Sequence, residues 1–179
     1  MSLSADSLRP YIREIADFPK PGILFRDIVP LLGNGQALHD TAALIAQRAQ
    51  ANGAEALVGI EARGFLFGCA AAALAKMPFV PLRKPGKLPG ETISAQYSLE
   101  YGVDALEAPK DGLKPGAKVA LIDDLIATGG TAQAGVQLIR DLGAEPTVGI
   151  FVVELTGLGG REAVEAAGMK VESLLVYDE

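Results

Sequence analysis

One stretch of the chain decides the predicted fold: Val119-Ala120-Leu121-Ile122-Asp123-Asp124-Leu125-Ile126-Ala127-Thr128-Gly129-Gly130-Thr131. Its apolar first half is typical of a strand that is buried on both faces of a sheet. Asp123 and Asp124 follow at the carboxyl end, where open α/β sheets bind ligands. The small residues after them let backbone N–H groups surround an anion at the start of a helix. The stretch therefore predicts a site for a phosphate and for hydroxyl groups, as in a sugar phosphate.

Strand and helix patterns alternate along the rest of the chain. Apolar runs predict strands over 56–60, 79–82, 147–155 and 171–177, and helical periodicity predicts helices over 36–51, 65–76, 130–142 and 160–167. A first amphipathic helix is expected over 4–16. This alternation predicts an α/β fold in which helices flank a twisted, mostly parallel sheet. No linker divides residues 1–179, so we expect a single domain.

A second strand–loop–helix unit carries polar residues at the end of its strand. The strand predicted over 56–60 is followed by Glu61, Ala62 and Arg63. Because parallel strands align their carboxyl ends, Arg63 should lie close to Asp123 and Asp124. The planar fork of donors on an arginine suits a phosphate. A surface ion pair between Arg63 and Glu61 is the alternative interpretation.

Two segments rich in proline and glycine flank these units. The first, 18–28, is too apolar for a free linker and is interpreted as a wall of the site or as a packed connector. The second carries Arg83, Lys84 and Lys87, which indicate an anion clamp or, alternatively, solvated loop charges. Strand-like alternation follows over 96–101. A long excursion of this kind is commonly a functional lid.

The composition limits the classes of function. With a net charge of −6, nonspecific nucleic-acid binding is not expected. Cys69 is the single cysteine, and its neighbours indicate a packed structural thiol in a reducing compartment. The single histidine, His39, has no partner for a zinc site. The first residues do not resemble a signal peptide and no apolar run is long enough for a bilayer, so we expect a cytoplasmic protein.

Five segments together resemble one enzyme family. Residues 122–131 are similar to the phosphoribosyl-diphosphate signature of type I phosphoribosyltransferases. Four further segments are similar to the adenine phosphoribosyltransferase family in that group: 18–28, Glu61-Ala62-Arg63-Gly64-Phe65, Arg83-Lys84-Pro85-Gly86-Lys87-Leu88-Pro89-Gly90 and Tyr97-Ser98-Leu99-Glu100-Tyr101-Gly102. The resemblance implies the type I phosphoribosyltransferase fold, with a small hood formed mainly by 1–32 and the C-terminal region. It also implies a flexible lid loop at about 83–102.

The activity implied by this resemblance is purine salvage, in which adenine and 5-phosphoribosyl 1-diphosphate give AMP and diphosphate. Glu100 and Arg63 would be the catalytic residues, with Glu100 taking a proton from the base. The resemblance also implies which residues would contact the substrates. The phosphoribosyl group would be bound by Asp123, Asp124, Ala127, Thr128, Gly129, Gly130 and Thr131, the diphosphate would be bound by Glu61, Ala62, Arg63, Arg83, Lys84 and Lys87, and adenine would be bound by Leu24, Phe25 and Arg26. Tyr97, Glu100 and Tyr101 would belong to the lid.

The resemblance also implies a cofactor and an oligomeric state. Mg²⁺ would be held mainly by substrate oxygens and water, without direct side-chain ligands. Part of the basic loop would reach the neighbouring site of a homodimer, and no nucleic-acid or membrane partner is expected. Two alternatives remain. A phosphoribosyltransferase for hypoxanthine, guanine or xanthine would share the phosphate loop, and a non-catalytic sensor of phosphoribosyl diphosphate would need a nucleic-acid-binding surface.

Overall fold

The elements of the chain follow the predicted alternation. The computed structural model describes residues 4–99 and 102–178, and over these ranges no helix is both long and apolar enough to cross a membrane. After a short 3-10 helix (Ala5–Tyr11), the elements in chain order are β1 (Arg13–Ala16), β2 (Leu24–Asp27), α1 (Val29–Leu32), α2 (Gly35–Ala51), β3 (Ala56–Ile60), α3 (Arg63–Ala75), β4 (Phe79–Leu82), β5 (Thr92–Leu99), β6 (Gly102–Pro109), β7 (Lys118–Ile126), α4 (Gly130–Asp141), β8 (Glu145–Thr156), α5 (Gly160–Ala166) and β9 (Lys170–Asp178).

A five-stranded parallel sheet forms the central layer, with the strand order β4-β3-β7-β8-β9. From β3 the chain continues to β4 on one side, and from β7 it continues to β8 and β9 on the other. The direction of winding therefore reverses between β3 and β7, and open α/β sheets bind ligands at such a switch point. The predicted α/β fold with a mostly parallel sheet is confirmed.

The alternation of β7 assigns its side chains to two cores. Val119 and Leu121 pack on one face with residues of α4, and Ala120 and Ile122 pack on the other face with residues of α2 and α3. All four side chains are fully buried, as the continuous apolar run predicts for a central strand. The carboxyl end of β7 is thereby held rigidly between two helical layers.

The predicted helix over 4–16 is wrong in its second half. The 3-10 helix ends at Tyr11, directly after Pro10, and β1 then pairs antiparallel with β2. Arg13 and Asp27 are directly opposite in this pair, and Arg13 donates to the Asp27 carboxylate from Nε at 2.9 Å and Nη2 at 2.5 Å. Pairing with a distant strand thus overrides the helical periodicity of residues 13–16.

The segment after β4 forms a hairpin. Strands β5 and β6 pair antiparallel from Thr92↔Pro109 to Leu99↔Gly102, whereas the sequence indicated strand character only over 96–101. Glu100 and Tyr101 lie outside the described residues. A further expectation is wrong for Cys69, which is exposed on α3 and is not a packed thiol.

Candidate active site

The paired acids and Arg63 meet at the carboxyl ends of β3 and β7. Asp124 is 4% exposed, and its Oδ2 lies 2.9 Å from Nε of Arg63. Arg63 is the first residue of α3, which follows β3 after two residues. The predicted proximity of Arg63 to the acid pair is confirmed, and Glu61 forms its ion pairs with other cations.

The electrostatics of the acid pair favour a ligand that donates hydrogen bonds or carries positive charge. Burial and the neighbouring Asp124 charge raise the pKa of Asp123 well above its usual range. Burial also raises the pKa of Asp124, and Arg63 opposes that rise. Among the described residues, no donor is aligned for a hydrogen bond to the buried Oδ2 of Asp124. Ribose hydroxyl groups would supply such donors.

A cleft of about 230 Å³ connects this acid pair to the loop before α4. Gly129 has a φ of 83°, a value that L side chains rarely adopt, and α4 begins at the next residue. The loop thus presents backbone N–H groups and the positive end of the α4 dipole to the cleft. The residues that line it are Arg63, Asp123, Asp124, Leu125, Ile126, Ala127, Thr128, Gly129, Gly130, Thr131, Ala132 and Phe151.

Two glycines that the sequence interpretation missed bring the walls of this cleft together. A Cβ on Gly64 would lie 2.7 Å from the carbonyl oxygen of Ile122 and 2.9 Å from Oδ1 of Asp123. A Cβ on Gly160 would overlap the carbonyl oxygen of Ala127. The Gly159-Gly160 pair was a signal in the sequence, but its closeness to the phosphate loop depends on tertiary packing.

The basic loop is held by a carboxylate at the end of β3. Glu61 accepts from Arg83 Nη2 at 3.1 Å, from Lys87 Nζ at 2.9 Å and from the backbone N–H of Lys84 at 2.9 Å. Burial raises the pKa of Glu61, but these hydrogen bonds outweigh it and lower the pKa to about 2. Glu61 is therefore ionised at neutral pH, and it orders two of the predicted diphosphate ligands.

The third cation of the loop is bound by the hairpin. Lys84 Nζ donates to the hydroxyl of Tyr97 at 2.5 Å and forms an ion pair with Asp104 of β6. The Tyr97 hydroxyl itself donates to Asp104 at 3.1 Å. Tyr97 thus connects the hairpin to the basic loop. Glu100 and Tyr101, the other predicted lid residues, are outside the described ranges.

An aromatic wall from β2 lies beside Arg63. The guanidinium carbon of Arg63 is 5.8 Å from the centre of the Phe25 ring, and Phe18 packs edge-on against that ring at 5.1 Å between centroids. The neighbouring Arg26 is 6% exposed, forms an ion pair with Glu14 and lies 4.3 Å from the centre of the Tyr177 ring. Phe25 thus lies beside Arg63, which lines the cleft, whereas the guanidinium of Arg26 is packed against β1 and β9.

Over 4–99 and 102–178, no three His, Cys, Asp or Glu side chains form a cluster that could hold a metal ion. Asp123 and Asp124 are the carboxylates that line the cleft together with the predicted phosphate loop.

Comparison with known proteins identifies the family. The model of the phosphoribosyl transferase domain matches residues 31–171. A relative from Novosphingobium aromaticivorans, named adenine phosphoribosyltransferase, is 47% identical over 98% of both chains. One of the same name from Mesorhizobium japonicum is 49% identical over 97% of this chain and 96% of its own. This chain belongs to the adenine phosphoribosyltransferase family.

Solved structures of adenine phosphoribosyltransferases share the fold. The crystal structure from Thermoanaerobacter pseudethanolicus superimposes with a TM-score of 0.92 at 42% identity, covering 97% of this chain and 100% of that one. The enzyme from Saccharomyces cerevisiae, in complex with an imino-altritol bisphosphate and adenine, gives 0.89 at 38% identity, covering 96% and 98%. The type I phosphoribosyltransferase fold implied by the sequence is thus confirmed.

Proposed function

We propose that this chain transfers the phosphoribosyl group of 5-phosphoribosyl 1-diphosphate to adenine in purine salvage, giving AMP and diphosphate. The observation that carries the proposal is the meeting of an acid pair, a phosphate loop and Arg63 beside the Phe25 ring, at the switch point of the sheet. The family relationship supports adenine as the acceptor.

The acid pair and the phosphate loop would hold the two ends of the phosphoribosyl group. Asp123 and Asp124 accept hydrogen bonds from the ribose hydroxyls, and residues 127–131 bind the 5-phosphate through backbone N–H groups and the α4 dipole. As the bond to diphosphate breaks, positive charge develops on the ribose ring. The negative charge carried by the acid pair would then stabilise that charge electrostatically.

The cations would take up the charge of the leaving diphosphate. Arg63 extends from α3 with 45% of its side chain exposed, so it can donate to diphosphate while it remains beside Asp124. Arg83 and Lys87 are prearranged by Glu61, and Lys84 is prearranged by Asp104. Backbone groups around Glu61 and Ala62 complete the proposed diphosphate site.

Magnesium fits this set of donors as an ion bound together with the substrate. Mg²⁺ keeps several waters and prefers carboxylate and phosphate oxygens. Asp124, whose Oδ2 has no aligned hydrogen-bond donor among the described residues, would help to hold such an ion through the substrate and not as a direct ligand. The ion would supply charge neutralisation for the diphosphate.

The base would stack on Phe25, with backbone groups around Leu24 and the Arg26 side chain reading its edge. A backbone carbonyl accepts from the 6-amino group of adenine but is mismatched to a 6-oxopurine. An unpaired buried acceptor costs about 1–3 kcal/mol, which is a discrimination of roughly tenfold or more. Glu100 would accept the proton that the base loses as its ring nitrogen bonds to ribose, with Tyr97 and Tyr101 shaping a lid over 83–102.

The hood and the oligomeric state are part of the same proposal. Residues 1–32 and the C-terminal region would form the hood of one cytoplasmic domain. The homodimer is supported by the outer face of α3, which carries no charge after Arg63 and exposes Leu66, Cys69, Ala73 and Leu74 at helical spacing. A helix that is apolar on all sides is normally covered. A second copy of the chain is the proposed cover.

A spectrophotometric assay of four bases tests the proposal. Adenine, hypoxanthine, guanine and xanthine are each mixed with phosphoribosyl diphosphate, Mg²⁺ and the full-length protein. AMP formation with preference for adenine is expected. Preference for a 6-oxopurine would favour the related enzyme instead, and binding of phosphoribosyl diphosphate without AMP formation would favour a sensor.

The proton role of Glu100 has its own test. Glu100→Gln should lower turnover much more than it weakens the binding of phosphoribosyl diphosphate, because the amide cannot accept the proton. Unchanged turnover at saturating substrates would rule out this role.

A further inference from the structure

A buried ion pair outside the proposed catalytic groups joins β8 to α5. Glu154 lies at the carboxyl end of β8 and is 4% exposed. Arg161, the second residue of α5, donates to both oxygens of this carboxylate, from Nε at 2.8 Å and from Nη2 at 2.5 Å. The same guanidinium donates through Nη1 to the carbonyl of Val171 at 2.7 Å. Arg161 is therefore fixed to two strands of the sheet.

A buried ion pair of this kind contributes little net stability to a fold, because the cost of desolvating two charges offsets much of their attraction. Its position suggests a different role. Glu154 is the register partner of Ile126, the residue directly before the phosphate loop. The ion pair thus lies one strand away from the point where the loop leaves the sheet.

The residue before Arg161 contacts the phosphate loop directly. Gly160 packs so closely that a Cβ there would overlap Ala127 O and lie 2.9 Å from Ile126 Cγ1. In return, a Cβ on Gly129 would lie 2.7 Å from the carbonyl oxygen of Gly160. The backbone at the start of α5 is therefore the support against which residues 127–129 rest.

We propose that Glu154 and Arg161 are positioning residues for the phosphate loop. By fixing Arg161, Glu154 fixes the backbone of Gly160, and Gly160 sets the position of Ala127 and Gly129 around the 5-phosphate. The inference rests on the proposed function, since it assumes that this loop binds the sugar phosphate. It assigns a role at the substrate site to two residues that touch no substrate.

The test measures ligand binding to the full-length protein by calorimetry, with ribose 5-phosphate and inorganic diphosphate as probes. Glu154→Gln keeps the size of the side chain but removes its charge. We expect the Kd for ribose 5-phosphate to rise by about tenfold, because a displaced loop loses aligned donors. The Kd for diphosphate and the KM for adenine should change by less than about twofold. Arg161→Lys, which keeps the charge but loses the fork, should shift the same Kd in the same direction.

A matched control separates positioning from general stability. Glu172 of β9 also forms ion pairs, with Lys170 at 2.6 Å and Arg48 at 3.8 Å, and lies toward the other end of the sheet. Glu172→Gln should leave the Kd for ribose 5-phosphate unchanged. Equal ribose 5-phosphate binding by wild type and both Glu154→Gln and Arg161→Lys would overturn the inference, as would an equal loss in Glu172→Gln. If the wild type binds no ribose 5-phosphate, the proposed phosphate site itself fails.

Discussion

Gly64→Ala should damage the site far more than its size suggests. Gly64 follows Arg63 in the first turn of α3 and faces the end of β7. An added methyl group would meet the Ile122 carbonyl oxygen at 2.7 Å, the Asp123 Oδ1 at 2.9 Å and the Asp123 Cα at 3.1 Å. Two of these atoms belong to the backbone of a central strand, and the third accepts a hydrogen bond from the backbone N–H of Asp124, so none of them can move easily.

The expected magnitude follows from these distances. To restore an ordinary contact of 3.4 Å with the carbonyl oxygen, α3 and β7 must separate locally by about 0.7 Å. Overpacking of this kind costs about 1–3 kcal/mol, and the better helix propensity of alanine returns up to about 1 kcal/mol. A displacement approaching 1 Å costs up to about a hundredfold in catalysis. We therefore expect a modest loss of stability and a fall of at least about tenfold in kcat/KM for phosphoribosyl diphosphate.

The assay compares this variant with Gly68→Ala in the same helix. There the new methyl would lie 2.6 Å from Cε2 of Phe79, an aromatic side chain of β4 that is not among the residues lining the cleft of the acid pair. Both variants should lose stability in denaturant titrations, but only Gly64→Ala should lose activity by more than about threefold at equal folded fraction. Wild-type kcat/KM in Gly64→Ala, or an equal loss in Gly68→Ala, would refute the reasoning.

Two further predictions concern pH and assembly. The pKa of Glu61 is lowered from 4.5 to about 2, so its ion pairs contribute to stability above about pH 4.5 and are lost as the pH falls toward 2. Glu61→Gln should make the unfolding midpoint in urea less dependent on pH between these values, whereas Glu91→Gln, at an exposed ion pair, should not. Leu74→Glu on the outer face of α3 should shift the mass in sedimentation analysis toward the monomer. Val29→Glu, at another exposed apolar residue, should leave the mass unchanged.

The sequence predicted the sheet and the acid pair well because both depend on local pattern. The run before Asp123 is apolar at every position, and only a strand covered on both faces needs such a run. Once the strands at 56–60 and 119–126 are parallel neighbours, Arg63 and Asp124 must meet at one edge. The contact between Arg63 and Asp124 could therefore be predicted from the order and direction of the two strands.

The remaining features depend on pairings that no local pattern contains. Residues 13–16 have helical periodicity, but their partners are in β2. Nothing near Glu61 indicates that Arg83 and Lys87 will fold back onto it from the loop after β4. In the sequence, Gly160 looks like an ordinary turn residue, and only the folded structure shows that it packs against Ala127. Each of these contacts joins segments that are distant in the sequence, and each required the tertiary structure.

The ion pairs of the basic loop determine which kind of anion the predicted anion clamp could bind. Because the pKa of Glu61 is about 2, its carboxylate keeps its charge at every pH at which the protein is expected to work. Arg83 and Lys87 are therefore already ion-paired with Glu61 when no anion is bound, and Lys84 is ion-paired with Asp104 in the same way. An anion must compete with these carboxylates for donors, which disfavours a single phosphate and favours a ligand with several charges close together. Under the proposed function, diphosphate with Mg²⁺ would meet that requirement, and the basic loop of this acidic chain would then select anions by charge density.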